Sequence, residues 1–426
     1  MTYMTVIIPS YNRAVLLDKT LRSFEFQSSS EFKIVIVDHG STDRTGDIIV
    51  AYKRKLPIEY YCIERCENSP GIPRDFGVKK TKTPLIAFLD CGTVMPSSYV
   101  AAHCEFHHTY NDQAGNLVGL GLCHGHRTDG QQDDRWVTIL QQCTIDETER
   151  LFKQDSDLCD ERVGIDLHRL NLPWLYGWTG NMSLRTEDYR LSGGFDLEVG
   201  YGFEDLDLAY RLHKHGLNFA FVEGGWGLHL PHPRASLVEL EEMEGTNWRI
   251  SYWKHRSLAL EAIRYAKMDA TKGEEVFDYL TSVGYACAKL QPVSQITHFA
   301  MDRPVLLVGG TMQDLECYDY VSLANENIVS TSRIWSCSGI IIPLADRSLD
   351  TVVVSDMWKY LGCSFNADNM SLLECLISEI KRCSRIAIFV DSAYIPDVPG
   401  SITVSINELT NTCHKYDLSF QIINRT

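Results

Sequence analysis

A chain of 426 residues, 44% hydrophobic and 23% charged, has material for two or three buried cores. Its 56 acidic against 40 basic residues give a net charge of −16, which argues against a general nucleic-acid or anionic-membrane surface. The longest apolar runs, 85–89 and 339–343, are too short to cross a bilayer, and Met1 leads into Val6-Ile7-Ile8-Pro9 without a basic leader. A cytoplasmic chain is therefore expected, with most of its 14 cysteines as buried thiols.

Thr5-Val6-Ile7-Ile8-Pro9 predicts a buried strand, Ser10-Tyr11-Asn12-Arg13 a turn, and Leu17, Leu21 and Phe24 one face of a helix. Residues 33–38 predict a second strand, followed by a helix through Ile48 and Ile49, and residues 85–90 predict another strand. Continuous apolar strands alternating with helices imply an α/β fold with a parallel sheet covered on both faces. Ligands of such sheets bind beyond the carboxyl ends of the strands. Asp38 and Asp90 both stand at such ends, so they converge on one cleft.

The middle of the chain carries less signal. His103-Cys104-Glu105-Phe106-His107-His108 and Cys123-His124-Gly125-His126 lack the Cys-x-x-Cys frame of a structural zinc site, and none is expected. Residues 129–134 predict an exposed loop, and the stretch 144–170 is rich in charge.

Three carboxylates then fall within four positions, in Gly200-Tyr201-Gly202-Phe203-Glu204-Asp205-Leu206-Asp207. Phe203, Leu206 and Tyr210 recur at helical spacing, which places Glu204 and Asp205 in the first turn of a helix. Unpaired N–H groups and the helix dipole there favour ionised carboxylates, and one held rigidly can take a proton from an attacking hydroxyl.

Residues 237–267 turn acidic, aromatic and helical, 269–273 read as a break, and a further helix over 276–290 ends at Gln291-Pro292. A second α/β cycle follows. Strands are predicted at 304–308, 318–323, 339–342, from about 350, and at 385–391, 402–406 and 418–423, with a helix over 371–382. The expected division is 1–236, a helical connector 237–299, and 300–426.

Trp178-Thr179-Gly180-Asn181-Met182-Ser183-Leu184-Arg185, Ser192-Gly193-Gly194-Phe195-Asp196 and the acidic helix start together resemble the catalytic half of family 2 glycosyltransferases with the GT-A fold. The likeness is closest to the N-acetylgalactosaminyl- and galactosyltransferase branch and covers roughly residues 1–235. The resemblance implies that the turn Pro9-Ser10-Tyr11-Asn12-Arg13 lies against the nucleotide and that Asp38 meets the nucleoside, with His39 where the family has a second aspartate. It implies that Arg74, in Pro70-Gly71-Ile72-Pro73-Arg74-Asp75-Phe76-Gly77, binds diphosphate, a task for which a guanidinium offers a fork of donors. Asp90-Cys91-Gly92 stands where the family carries its Asp-x-Asp metal signature, with Gly92 in place of the second carboxylate. The resemblance then makes Asp90 and His229, in Leu228-His229-Leu230-Pro231-His232-Pro233, the ligands of a manganese or magnesium ion.

The implied reaction is inverting transfer of a hexose or N-acetylhexosamine from a UDP-sugar to a glycan or peptide acceptor. Asp205 is its base and Glu204 an orienting group, and Trp178, Gly180 and Asn181 line the sugar pocket. The C-terminal part, chiefly 343–361, resembles a small S-adenosylmethionine-dependent methyltransferase domain whose cofactor turn is degraded to Leu307-Val308-Gly309-Gly310-Thr311. Two rivals follow: a bifunctional glycosyl- and methyltransferase, and a non-catalytic sugar or peptide binder.

Overall fold

A computed structural model describes residues 3–65, 69–110, 116–125, 145–155, 158–232, 237–290, 292–293, 304–366, 368–393 and 395–425. The expected loop at 129–134, His126 and the boundary residue Gln291 lie outside the described residues. The chain forms two compact units, Met1–Asn247 and Trp248–Thr426. No described helix is long and apolar enough to cross a membrane, and the described cysteines are free thiols.

The first unit is built on a seven-stranded sheet. Its strands, in chain order, are β1 (Met4–Ser10), β2 (Phe32–Asp38), β3 (Ile58–Cys62), β4 (Leu85–Leu89), β6 (Leu117–Leu120), β8 (Asn181–Arg185) and β9 (Asn218–Phe221). A small three-stranded sheet adds β5 (Thr93–Val94), β7 (Cys123–His124) and β10 (Gly227–His229). The large sheet has the order β3-β2-β1-β4-β8-β6-β9. β1, β2 and β4 run parallel, as their unbroken apolar runs predict, and Val6, Ile7, Ile8, Ile34, Val35 and Ile36 have no exposed surface. β3, whose Ile-Glu-Tyr-Tyr-Cys carries no such run and is not among the expected strands, pairs in parallel with β2.

Past β4 the expectation of an all-parallel sheet fails. β8 runs antiparallel to both β4 and β6, so the sheet is mixed. β8 reads Asn-Met-Ser-Leu-Arg, and its alternation of polar and apolar residues carries no direction, so the sequence could not set its sense.

In the second unit helices Leu258–Tyr265 and Ala270–Cys287 pack on each other, and the sheet is six-stranded and wholly parallel. Its strands are β11 (Val305–Val308), β12 (Tyr320–Ser322), β13 (Ile334–Trp335), β14 (Thr351–Val354), β15 (Ile386–Ser392) and β16 (Ser419–Arg425). The order β13-β12-β11-β14-β15-β16 is the doubly wound Rossmann-like arrangement. Two expected strands are absent. Residues 339–342 are a bend whose backbone is held by the buried Glu261, which accepts from Ser338 N at 2.6 Å and Ile341 N at 2.8 Å. Ile402 makes a single bridge with Leu361 and is largely exposed, and Ile406 opens a helix (Ile406–Lys415) capped by Ser405 and Glu408. The break expected at 269–273 shrinks to a tight turn with Lys267 and Met268 at positive φ, after which Asp269 caps the next helix.

At the switch point of this sheet the chain packs on itself. A Cβ on Gly309 would lie 2.6 Å from Ser355 Oγ and 2.7 Å from Met357 Cβ. Ser355 Oγ also donates to Gly309 O at 2.7 Å, so the degraded turn is braced by neighbouring side chains where a cofactor turn needs open backbone.

Candidate active site

The carboxyl ends of β1, β2 and β4 gather the first set of expected residues. Asp38 is buried: its Oδ1 accepts from Ser41 N at 2.8 Å and its Oδ2 from Tyr60 Oη at 2.8 Å. Asn12, at φ 49°, accepts from Thr42 N through Oδ1 and donates its own N–H to Ser41 Oγ, both at 2.8 Å. Asn12 thus ties the β1 turn to the β2 turn. Asp43 joins the same knot by accepting from Ala14 N and from Thr45 N and Oγ1. Burial raises its pKa and these bonds more than offset the rise, leaving it below the usual carboxylate range. Pro9 is the penultimate residue of β1, and the exposed Tyr11 ring carries the Arg65 guanidinium 3.5 Å from its centroid. His39 is buried, and desolvation, helped by Arg65, lowers its pKa, which favours a neutral imidazole.

The second set meets around one guanidinium. Arg74, on the helix Gly71–Lys79, is 4% exposed. Its Nη2 donates to Asp90 Oδ1 at 2.6 Å and its Nη1 to Glu204 Oε1 at 3.3 Å. The expected diphosphate ligand is therefore engaged by protein carboxylates at both terminal nitrogens. Glu204 Oε2 accepts from Gly202 N at 3.0 Å. Asp205 opens the helix Glu204–Lys214 beside it, and its Oδ1 accepts from Leu206 N at 2.9 Å.

The helix start does not keep these two acids readily ionised. Burial, followed by repulsion from Asp205, pushes Glu204 up to about 8, with Arg74 pulling the other way. Asp205 is also raised, first by burial, and Arg74 again opposes the rise. Desolvation exceeds the dipole here because the dipole acts as a fraction of a charge at a terminus that water barely reaches.

Asp90 follows β4. Its N donates to Gly180 O at 3.0 Å, and a Cβ on Gly180 would stand 2.9 Å from Asp90 Oδ2. Glycine at 180 therefore lets the strand leading into β8 lie against the carboxylate. The missing second aspartate has a backbone cause: Gly92 sits at φ +106°, where a side chain is strained. Gly92 N donates to Thr20 Oγ1 at 2.9 Å, and Gly92 O accepts from Leu230 N at 2.9 Å. Position 92 serves as a backbone hub, and the strand it recruits brings the histidine. β10 pairs with β5 so that His229 faces Thr93, three residues beyond Asp90. His229 is 4% exposed, its ring centroid 5.0 Å from that of His232.

Other expected residues fall elsewhere. Asn181 is fully buried, and its Nδ2 donates to Gly225 O at 2.9 Å and to Leu122 O at 3.3 Å. Trp178 is half-buried two residues before Gly180, with the Arg162 guanidinium 4.2 Å from its ring. Within the charged stretch 144–170, Asp160 and Arg162 form an ion pair without side-chain exposure. His103 and His107 are core histidines that share Ser183 Oγ at 2.8 and 2.9 Å, and burial lowers them to about 4 and about 3. No group of three or more His, Cys, Asp or Glu residues able to hold a metal occurs among the described residues.

Sequence reasoning missed the Asp160–Arg162 pair, since two opposite charges in a hydrophilic run carry no mark of burial. It also missed the ion pairing of Arg74, which joins residues 16 and 130 positions apart.

A Rossmann-like sheet that gathers carboxylates beyond β4 and at one helix start, with an antiparallel strand beside β4, is the GT-A arrangement. Residues 5–118 match the model of glycosyl transferase family 2. The chain is 34% identical over 392 residues to validoxylamine A glucosyltransferase of Streptomyces hygroscopicus subsp. limoneus, covering 83% of this chain and 84% of the relative. The enzyme of the same name from S. hygroscopicus subsp. jinggangensis (strain 5008) is 28% identical over 83% of this chain and 90% of its own. Residues 1–349 of S. aureus TarS, solved in complex with UDP-GlcNAc, superpose with a TM-score of 0.44 at 16% identity, over 69% of this chain and 77% of that one. The chain belongs to glycosyltransferase family 2 and is a glycosyltransferase.

Proposed function

We propose that the protein transfers a hexose, glucose in the first instance, from a UDP-sugar to an acceptor hydroxyl with inversion. The observation that carries this reading is the convergence of Asp90, Glu204 and Asp205 on Arg74 at the carboxyl ends of the sheet. Glucose is supported by the two relatives named as glucosyltransferases, which also make validoxylamine A the first acceptor to assay, ahead of glycans and peptides. Pro9, Tyr11 and Asp38, with Asn12 holding the turn, would frame the nucleoside, and Trp178 would offer an aromatic face to the sugar.

Asp205 takes the proton of the acceptor hydroxyl from the start of the helix Glu204–Lys214, where Leu206 N holds its Oδ1. The acceptor oxygen attacks the anomeric carbon as the bond to the diphosphate oxygen breaks, and the nucleoside diphosphate leaves with that electron pair. Glu204 is held between Arg74 and Gly202 N and orients the acceptor. Arg74 organises the three carboxylates and keeps positive charge beside the departing diphosphate.

Asp90 and His229 suit a divalent cation as one hard oxygen donor and one imidazole, brought near each other by the β5–β10 pairing. Diphosphate and water would complete such a shell, and the ion would offset charge on the leaving group. The test is UDP-glucose turnover with manganese present and validoxylamine A as acceptor. Absence of both transfer and donor hydrolysis across the UDP-sugars would refute the reading.

His229→Ala is expected to weaken manganese binding, followed by titration in the presence of UDP, well beyond His232→Ala. His232 lies outside the β5–β10 ladder, with Nδ1 3.2 Å from Leu230 O. Equal affinities in the two variants would remove His229 from the ligand set.

The second unit is proposed as an accessory domain that binds no S-adenosylmethionine, because Ser355 and Met357 pack against Gly309. Titration calorimetry of the full chain is expected to give no heat at micromolar cofactor, and a micromolar Kd with methyl transfer to a product would favour the bifunctional enzyme.

A further inference from the structure

Among the described residues of the first unit, Asp160 and Arg162 form the ion pair in which both side chains are without exposure. Arg162 Nε donates to Asp160 Oδ1 at 3.0 Å and Nη2 to Oδ2 at 2.7 Å, a bidentate fork. The remaining capacity is spent on backbone: Nη1 donates to Tyr176 O at 3.1 Å and Nη2 to Gly121 O at 3.0 Å. Asp160 Oδ2 accepts from Cys123 N at 2.5 Å, and Asp160 N donates to His124 Nδ1 at 3.2 Å. These contacts reach two places that matter. Tyr176 lies two residues before Trp178, whose ring is stacked on the guanidinium at 4.2 Å. Cys123 and His124 form β7, which pairs in register with β10, Gly227 opposite Cys123 and Leu228 opposite His124, and β10 ends in His229.

A buried ion pair is a poor way to gain stability, because an apolar pair of equal volume commonly does as well. A planar fork, by contrast, fixes direction: it locks one orientation of each partner and of whatever stacks on it. We propose that the Asp160–Arg162 pair is a positioning device that holds the Trp178 indole in fixed register with the His229 strand, so that the sugar of the donor is seated against a rigid aromatic face. The inference rests on the sugar-platform reading of Trp178. It makes the pair a determinant of how well the sugar, as distinct from the nucleotide, is recognised.

The experiment uses the full chain with UDP and UDP-glucose as probes. In the double variant Asp160→Asn/Arg162→Met both charges are removed together, so no uncompensated buried ion remains. Thermal unfolding should show a folded protein, KM for UDP-glucose should rise roughly tenfold, and Kd for UDP should stay within about twofold of wild type. If the double variant does not fold, Arg162→Lys provides the same readout, since a lysine keeps the charge but loses the fork. A wild-type KM in either folded variant overturns the proposal, and so does an equal loss of UDP and UDP-glucose binding, the signature of a purely structural role. Trp178→Ala is the control for the underlying reading. If it raises KM while the folded double variant does not, only the positioning role fails. If Trp178→Ala itself leaves KM unchanged, the platform reading fails and this inference falls with it.

Discussion

Asp205→Asn is expected to lower kcat at least about a hundredfold, the usual contribution of a positioned general base, with UDP affinity preserved. The amide keeps the side-chain volume and can still accept from Leu206 N, so the helix start should survive. Glu204→Gln should cost less, because both Glu204 oxygens are already committed to Arg74 and Gly202 N. Steady-state kinetics beside UDP calorimetry separates the outcomes, and a loss of UDP affinity with kcat intact would remove Asp205 from the chemistry. In the wild type the base works only when ionised, and its pKa is raised. The acid limb of kcat/KM should therefore lie above the ordinary carboxylate range, and activity should rise with pH across that limb.

Arg74→Met is expected to be the most damaging change to stability, by roughly 3–5 kcal/mol, because it strips the cation from buried carboxylates. Glu204 and Arg74 are both nearly inaccessible, with side-chain exposures of 6% and 5%. Arg74 lowers the pKa of Glu204 and of Asp205, so its removal should carry both upward and move the acid limb of activity to higher pH. The sign for stability follows. A carboxyl group whose folded pKa, about 8 for Glu204, exceeds its unfolded one contributes stability that is complete below the unfolded value. That contribution is lost as pH rises through about 8. In Arg74→Met the deficit should accordingly be smallest in acid and grow toward alkaline pH. Urea unfolding at a series of pH values measures this, and Arg74→Met/Glu204→Gln should recover part of the loss. A pH-independent deficit would show that Arg74 acts through packing alone.

The legible parts of the site share a physical trait. Asp38 and Asp90 were placed by topology, since unbroken apolar strands put their last polar residue at the sheet's carboxyl edge. Glu204 and Asp205 were placed by helical spacing. His229 was reached through resemblance, and the ladder that sets it opposite Thr93 came from folding. The illegible parts are pairings at long range. Nothing local in Arg74 says that it will spend its fork on Asp90 and Glu204, and nothing in Asp160-Glu161-Arg162 says that two of these charges will be buried.

The sequence by itself determined the α/β class, the parallel strands β1, β2 and β4, the acidic start of the helix Glu204–Lys214 and the membership implied by its motifs. Periodicity and propensity act within a few residues and survive without knowledge of the partner. Tertiary structure alone decided the antiparallel sense of β8, the protonation tendency of Glu204 and Asp205, and the second use of Arg74. Those properties depend on desolvation and on charges brought together across more than a hundred residues.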